Sequence, residues 1–358
     1  MTNKPTAVIS LCLAAALYGH ALAAPPETPA QKTQAPASGE IVFPPPPDQP
    51  RIRYLYSLAG PQDIKPRVGG FKGFLLRLVG KGARSGLALV RPYGVYAAGG
   101  RVFVADTGGM AVAVFDRAAG RLTRFGGTRE GRLINPISVA GDEAGNVYVT
   151  DSGMNLVNVY GPGGALLRQF GATAGLMRPT GAVYDAGRKR LVVADTGNAR
   201  LVLFDANGGV QGTIGRSGTE KGDFSLPTDL ALDRAGNIHV VEGILGRVQV
   251  YAPDGKFLSQ FGKRGNLPGY FERPKGIALD SDGNIYVVDS AFNAVQVFDR
   301  EGRLLLLFGG GGTAPGTFEL PTGIFIDSED RIYVVDSFNR RVQVFQYLKA
   351  EVSPQPSP

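Results

Sequence analysis

Between Arg273 and Phe308 the chain reads RPKGIALDSDGNIYVVDSAFNAVQVFDREGRLLLLF. Four apolar runs, GIALD, NIYVVDS, AVQVFD and RLLLLF, are separated by short polar turns. The turns at Asp280–Asn284 and Asp299–Gly302 carry Gly283 and Gly302, which can take positive φ. Ile285, Tyr286, Val287 and Val288 are continuously apolar, the pattern of a strand buried on both faces; a half-solvated strand would alternate. Four strands with no helical stretch between them predict one up-down-up-down antiparallel sheet.

One such sheet cannot bury both of its faces, so stacked copies are expected. A proline opens each copy at Pro92, Pro136, Pro179, Pro227, Pro274 and Pro321, in steps of 44, 43, 48, 47 and 47 residues. An acid ends the second strand at Asp106, Asp151, Asp195, Glu242, Asp289 and Asp336, in steps of 45, 44, 47, 47 and 47. Two markers hold one phase over six units. The radial packing of six four-stranded sheets is an all-β, six-bladed β-propeller. The last unit lacks a fourth strand. Upstream, Arg51–Leu58 (RIRYLYSL) has the pattern of the other fourth strands, and is expected to close the ring and remove the open edge between first and last blades. The expected organisation is a signal peptide at 1–23, a Pro-rich linker at 24–50, the propeller at 51–349 and a disordered tail at 350–358.

VADTGNARLVLF (Val193–Phe204) and VVDSFNRRVQVF (Val334–Phe345) resemble the NHL repeat, with its Pro-x-Gly opening and its Asp, Asn and Arg at fixed spacing. The resemblance runs from Arg91 to Phe345. It implies a six-bladed propeller, in agreement with the count of units. It leaves activity open, because NHL proteins include RNA binders, protein-interaction modules, sensor ectodomains and lyases.

Length and composition refine this picture. The 358 residues suit one six-bladed domain. The net charge of +7 favours anionic partners moderately. Lys4, the apolar run Ala7–Tyr18 and Ala21-Leu22-Ala23 read as a secretory signal cut after Ala23, with an uncleaved anchor as the alternative; a secreted or periplasmic protein is expected. Cys12, the only cysteine, would leave with the signal, so no disulfide is expected in the mature chain. Ala24–Pro50 holds nine prolines and reads as a stiff, solvated spacer. In the long connection 60–90, Phe71, Phe74, Leu75, Leu78 and Val79 fall at helical spacing among Lys72, Arg77 and Lys81. They predict one short basic helix over 71–79, weakened by Gly73. It reads as a lid, as a peripheral membrane contact or as a partner helix.

In this topology the loops between second and third strands, and those between blades, share one face, here called the top. Where Asn198 and Asn339 match the NHL asparagine, other blades carry Gly109, Met154, Leu245 and Phe292, with Met110, Ile244 and Phe338 close by. Apolar residues in such loops mark either a contact surface or a seat for the helix bearing Phe71, Phe74 and Leu78. The blade-to-blade loops are basic, and Arg91, Arg178 and Arg273 each precede an opening proline. They form either a cationic collar for an anionic ligand or a rim balanced by residues such as Glu272 and Glu319. A monomeric propeller whose partner is an envelope protein or an anionic ligand follows.

Catalytic signals are few. His20 and His239 are the only histidines, which disfavours a multi-histidine metal site of the kind found in NHL-class amidating lyases. His239 stands where Tyr148 and Tyr286 stand in other blades, and reads as a packed strand residue. Asp280-x-Asp282-Gly283-Asn284 looks calcium-like but lacks the remaining ligands of such a loop. No metal, cofactor or catalytic residue is assigned. A carboxylate-metal hydrolase or lyase is the runner-up, with Asp229 and Asp233 the strand-one acids to test. The six acids ending second strands read as structural: such an acid can accept N–H groups of its own turn and pair with an Arg five residues on, as at Asp195/Arg200 and Asp336/Arg341. Nucleic acid is not expected as a partner of an exported chain, and RNA binding returns only if the chain stays inside the cell.

Overall fold

The computed structural model describes residues 39–64, 87–127 and 131–349. These residues form six antiparallel sheets, five of four strands and one of five, and almost nothing else. The inner strands are Pro92–Ala98, Pro136–Gly141, Pro179–Asp185, Pro227–Leu232, Pro274–Leu279 and Pro321–Ile326. Each packs on the inner strand of the next blade, and the sixth packs on the first, so the sheets form a closed ring of six blades.

The hydrophobic pattern sets the layers. In the fifth blade the second and third strands, Ile285–Asp289 and Ala294–Phe298, are buried at every position, while the outer strand Leu304–Gly309 is largely exposed. The apolar clusters lie between blades, not within them: Tyr148 and Val159 of the second blade pack with Val193 and Phe204 of the third. A single blade therefore has no core of its own, which is the physical reason for the repeat. A buried apolar side chain three residues before each opening proline fills the gap between blades: Leu89, Leu133, Leu176, Phe224, Phe271 and Phe318.

The ring closes as the sequence predicts. Ile52–Leu58 pairs antiparallel with Arg341–Tyr347, from Ile52 opposite Tyr347 to Leu58 opposite Val342. The folded region also begins earlier than the expected boundary at 51. Val42 and Phe43 pair with Arg53 and Ile52 as a fifth strand of the last blade. The Phe43 ring lies 5.6 Å from Phe308 and 6.4 Å from Phe345, across the seam between the fifth and sixth blades. This end of the Pro-rich stretch is thus a clasp on the core and not a solvated spacer. The helix expected over 71–79 lies outside the described residues; in the described part of that connection there is one 3-10 turn, Pro61–Asp63.

Each inner strand has a register break just after its proline, at Pro92/Gly94, Pro136/Ser138, Pro179/Ala182, Pro227/Asp229, Pro274/Ile277 and Pro321/Ile324. Proline has no N–H to give the ladder, so a break there costs little. The break turns the next two residues toward the neighbouring blade. Thr180 donates to Thr228 O at 2.7 Å, Thr228 to Lys275 O at 3.2 Å, and Thr322 to Tyr93 O at 2.8 Å. The glycine of Pro-x-Gly lets backbones meet: a Cβ at Gly276 would stand 2.6 Å from Thr322 O.

Candidate binding face and axial channel

The top loops are built on the six acids that end the second strands. All six are fully buried. Asp151 accepts N–H bonds from Ile134, Asn135, Gly153 and Met154, and Asp289 from Glu272, Arg273, Ala291 and Phe292. These two carboxylates thereby join a blade-opening loop to their own turn. Asp195, Glu242 and Asp336 pair with Arg200, Arg247 and Arg341, five residues on, at 2.8, 2.6 and 2.7 Å. Asp106 has no arginine at that spacing and takes Arg124 from the outer strand at 3.1 Å. Asn198 and Asn339 bond to the acid of their own loop. The acids are structural, and their bonds leave none of them free to bind a ligand.

Four residues after each acid the backbone turns left-handed, at Met110, Asn155, Ala199, Gly246, Asn293 and Arg340. The loop geometry decides which apolar residues face water. Met154, Leu245 and Phe292 are half-buried. Phe338 is 69% exposed, and Met110 and Ile244 are also exposed. The blade openings add Val90, Ile134, Met177 and Leu320, which sequence reasoning missed. Val90, Ile134 and Met177 lean on Gly108, Gly153 and Gly197, where a Cβ would collide with them. That glycine two places after the acid, facing the apolar residue two places before the opening proline of the same blade, was the available signal. Exposed large apolar side chains on this face thus come from five of the six blades, and Leu267 in the loop that opens the fifth adds to them; the remainder of the described ones lie on outer strands. Phe71, Phe74 and Leu78 lie outside the described residues.

Arg91, Arg178 and Arg273 are all exposed beside their prolines. None forms an ion pair among the described residues. Two of them reach the axis electrostatically. Arg178 acts on the Tyr93 phenol and Arg273 on the Lys275 ammonium, both side chains of the channel wall.

The inner strands enclose a cavity of about 330 Å³ on the axis. Its upper end carries Tyr93, Asp229 and Lys275; its lower part is lined by Val95, Tyr96, Val139, Val183, Tyr184 and Phe325. Asp229 occupies a place held by glycine in four blades, at Gly94, Gly181, Gly276 and Gly323. Its Oδ2 accepts the Ile277 N–H at 3.3 Å. The cavity admits water to its side chain, yet protein surrounds it, and burial pushes its carboxyl up to about 7 against the pull of the Leu230 and Ile277 amides. Burial, then the field of Asp229, pushes the Tyr93 phenol up to about 12. Burial, then Arg273, lowers the Lys275 ammonium.

His239 is buried at the other end of the fourth blade, and neither ring nitrogen has a hydrogen-bond partner. The tyrosines at the matching position each donate to a turn acid: Tyr148 to Asp142 at 3.0 Å, Tyr286 to Asp280 and Tyr333 to Asp327 at 2.9 Å. The imidazole is shorter and stops 3.5 Å from Asp233. Asp280, of the calcium-like run, is spent on Asp282 N, Asn284 and Tyr286. Among the described residues no three His, Cys, Asp or Glu side chains come together as a metal set.

A family model described as a 6-bladed beta-propeller matches residues 279–350. No curated protein matches the chain. Among solved structures, a streptogramin B lyase is similar in fold, with a TM-score of 0.56 at 13% identity over 72% of this chain and 93% of that one. Virginiamycin B lyase from Staphylococcus aureus gives 0.54 at 13%, over 72% and 95%. An auxiliary nutrient binding protein from Bacteroides thetaiotaomicron gives 0.55 at 12%, over 72% and 69%. At these identities the likeness is one of fold alone. By its own strand order, and by the family model that matches it, the chain is a six-bladed β-propeller.

Proposed function

We propose that this chain is an exported propeller of the NHL kind that serves as a binding module in the cell envelope, with its top face as the contact surface for a protein partner. The observation that carries the reading is the apolar rim. Phe338, Met110 and Ile244, with the residues at the blade openings, present large side chains to water on one face. Exposed apolar groups gathered on one face and interspersed with arginine match the anatomy of an interface. The bonding of Asp195 with Asn198 and Arg200, and of Asp336 with Asn339 and Arg341, supports the NHL assignment. Export, with cleavage after Ala23, rests on the pattern of the first residues. A propeller neighbour that binds nutrients is in keeping with a binding role.

The test is photo-crosslinking in cells, with the probe at Phe338 on the top and at Ala118, an exposed turn residue of the opposite face, as control. A discrete protein adduct from Phe338 alone is expected. Adducts from both sites, from Ala118 alone or from neither would overturn the top-face assignment.

A further inference from the structure

The axial cavity has two unlike ends. Below, it is lined by aliphatic and aromatic side chains. Above, it presents three groups whose hydrogen-bonding capacity is unspent. Neither the Tyr93 hydroxyl nor the Lys275 ammonium bonds to another described side chain, and Asp229 receives backbone amides only. Of the other polar groups at this end, Thr228 and Thr322 donate to backbone carbonyls, and Ser138 accepts the Ala182 amide while keeping its own O–H.

Charge at the upper end is positive. Lys275 and Arg273 come from the fifth blade and Arg178 from the third; Tyr93 comes from the first and Asp229 from the fourth. The inner strands of the second and sixth blades bring no titratable side chain to the cavity. The one anion that acts on Lys275 is Asp289, which four backbone amides already hold. Removing an ammonium from water without a dedicated counter-ion is costly, and a bound anion relieves that cost.

We propose that the cavity binds one small amphipathic carboxylate, of the medium-chain or aromatic acid class. Its apolar body lies among Val139, Val183, Tyr184 and Phe325, and its head lies between Lys275, Tyr93 and Asp229. The volume lies at the small end of the range for ligand sites, and the lining has the usual form of apolar walls with a few convergent polar groups. Lys275 supplies the charge. Tyr93 and the protonated Asp229 supply hydrogen-bond donors, so Asp229 joins the head group below neutral pH and repels it above. An alkylammonium ligand is disfavoured by Lys275. This site is separate from the apolar rim, and the top-face reading stands or falls without it.

The experiment is calorimetric titration of the intact purified protein with decanoate, decylammonium and decanol, each kept below its micelle concentration. Decanoate is expected to bind one to one, more tightly than either analogue and more tightly at pH 6 than at pH 8.5. Losing a charge-assisted hydrogen bond in Lys275→Met weakens decanoate by about ten- to a hundredfold. Lys275→Arg retains binding, and circular dichroism of both variants shows whether the fold is kept. Preference for decylammonium, equal binding of all three probes, no heat with decanoate, or unchanged affinity in a folded Lys275→Met protein would overturn the proposal.

Discussion

Asp229→Asn removes one ionisable group and keeps the shape of the side chain and its acceptor for the Ile277 amide. In the unfolded chain an aspartate ionises near pH 4. In the folded protein burial delays that ionisation to about 7. The unfolded state therefore releases a proton that the folded state retains, and stability falls as pH rises from about 4 to about 7, then levels off. Three pH units correspond to about 4 kcal/mol. Water in the channel screens part of this, so about 2–4 kcal/mol is the expected loss. Asparagine does not titrate and escapes it. Equilibrium denaturant unfolding of both proteins from pH 4 to pH 8.5 isolates the effect, because every other group cancels in the difference. The variant is expected to match the wild type near pH 4 and to be the more stable protein above pH 7. A difference that does not change with pH, or one that favours the wild type at high pH, would refute the placement of an enclosed carboxyl on the axis.

Four further outcomes follow from the same structure. Arg247→Met strands the buried Glu242 carboxylate, and should cost about 3–5 kcal/mol in denaturant unfolding. His239→Tyr gives Asp233 the hydroxyl donor found in three other blades and removes two unpartnered nitrogens; a gain of about 1–2 kcal/mol should appear as a raised Tm. Gly276→Ala drives a methyl group against the sixth blade's backbone, and should cost about 1–3 kcal/mol or more, whereas Ala118→Ser in an open turn should cost nothing measurable by the same melt. Deleting residues up to Ser57 opens the edge of Arg341–Tyr347, and size-exclusion chromatography should show species larger than the intact protein gives.

The architecture was legible because two markers with different physical jobs repeat in phase. The opening proline marks the register break, and the acid marks the hub that ties the loops. The closing strand could be read because Arg51–Leu58 has the length and pattern of its counterparts. Val42–Phe43 could not, since two residues within a run of prolines carry no periodicity. The contact face was legible only in part. The sequence pointed to Met154, Leu245 and Phe292 and to Met110, Ile244 and Phe338 beside them; the structure exposes the second three more fully and adds the blade openings, which the sequence did not point to. A left-handed residue in each loop sets which side chains face water, and in five of the six loops that residue is not glycine, so composition gives no warning. Asp229 was visible as an acid on a first strand, in a place where other blades have glycine. What the sequence withheld was its enclosure, which depends on Gly181 and Ile277 of the flanking blades. Lys275 and Tyr93 follow their prolines in plain view, but only the closed ring brings them to one end of one cavity.

Carbene footprinting of the protein in envelope preparations, compared with the purified chain, tests the central claim most directly, because it does not choose the site beforehand. Protection is expected at Phe338, Met110 and Ile244 and at the blade openings around Ile134 and Met177, with the turns of the opposite face labelled equally in both samples. Protection of those opposite turns, or identical labelling of the whole surface in both samples, would contradict a propeller that works through its top face.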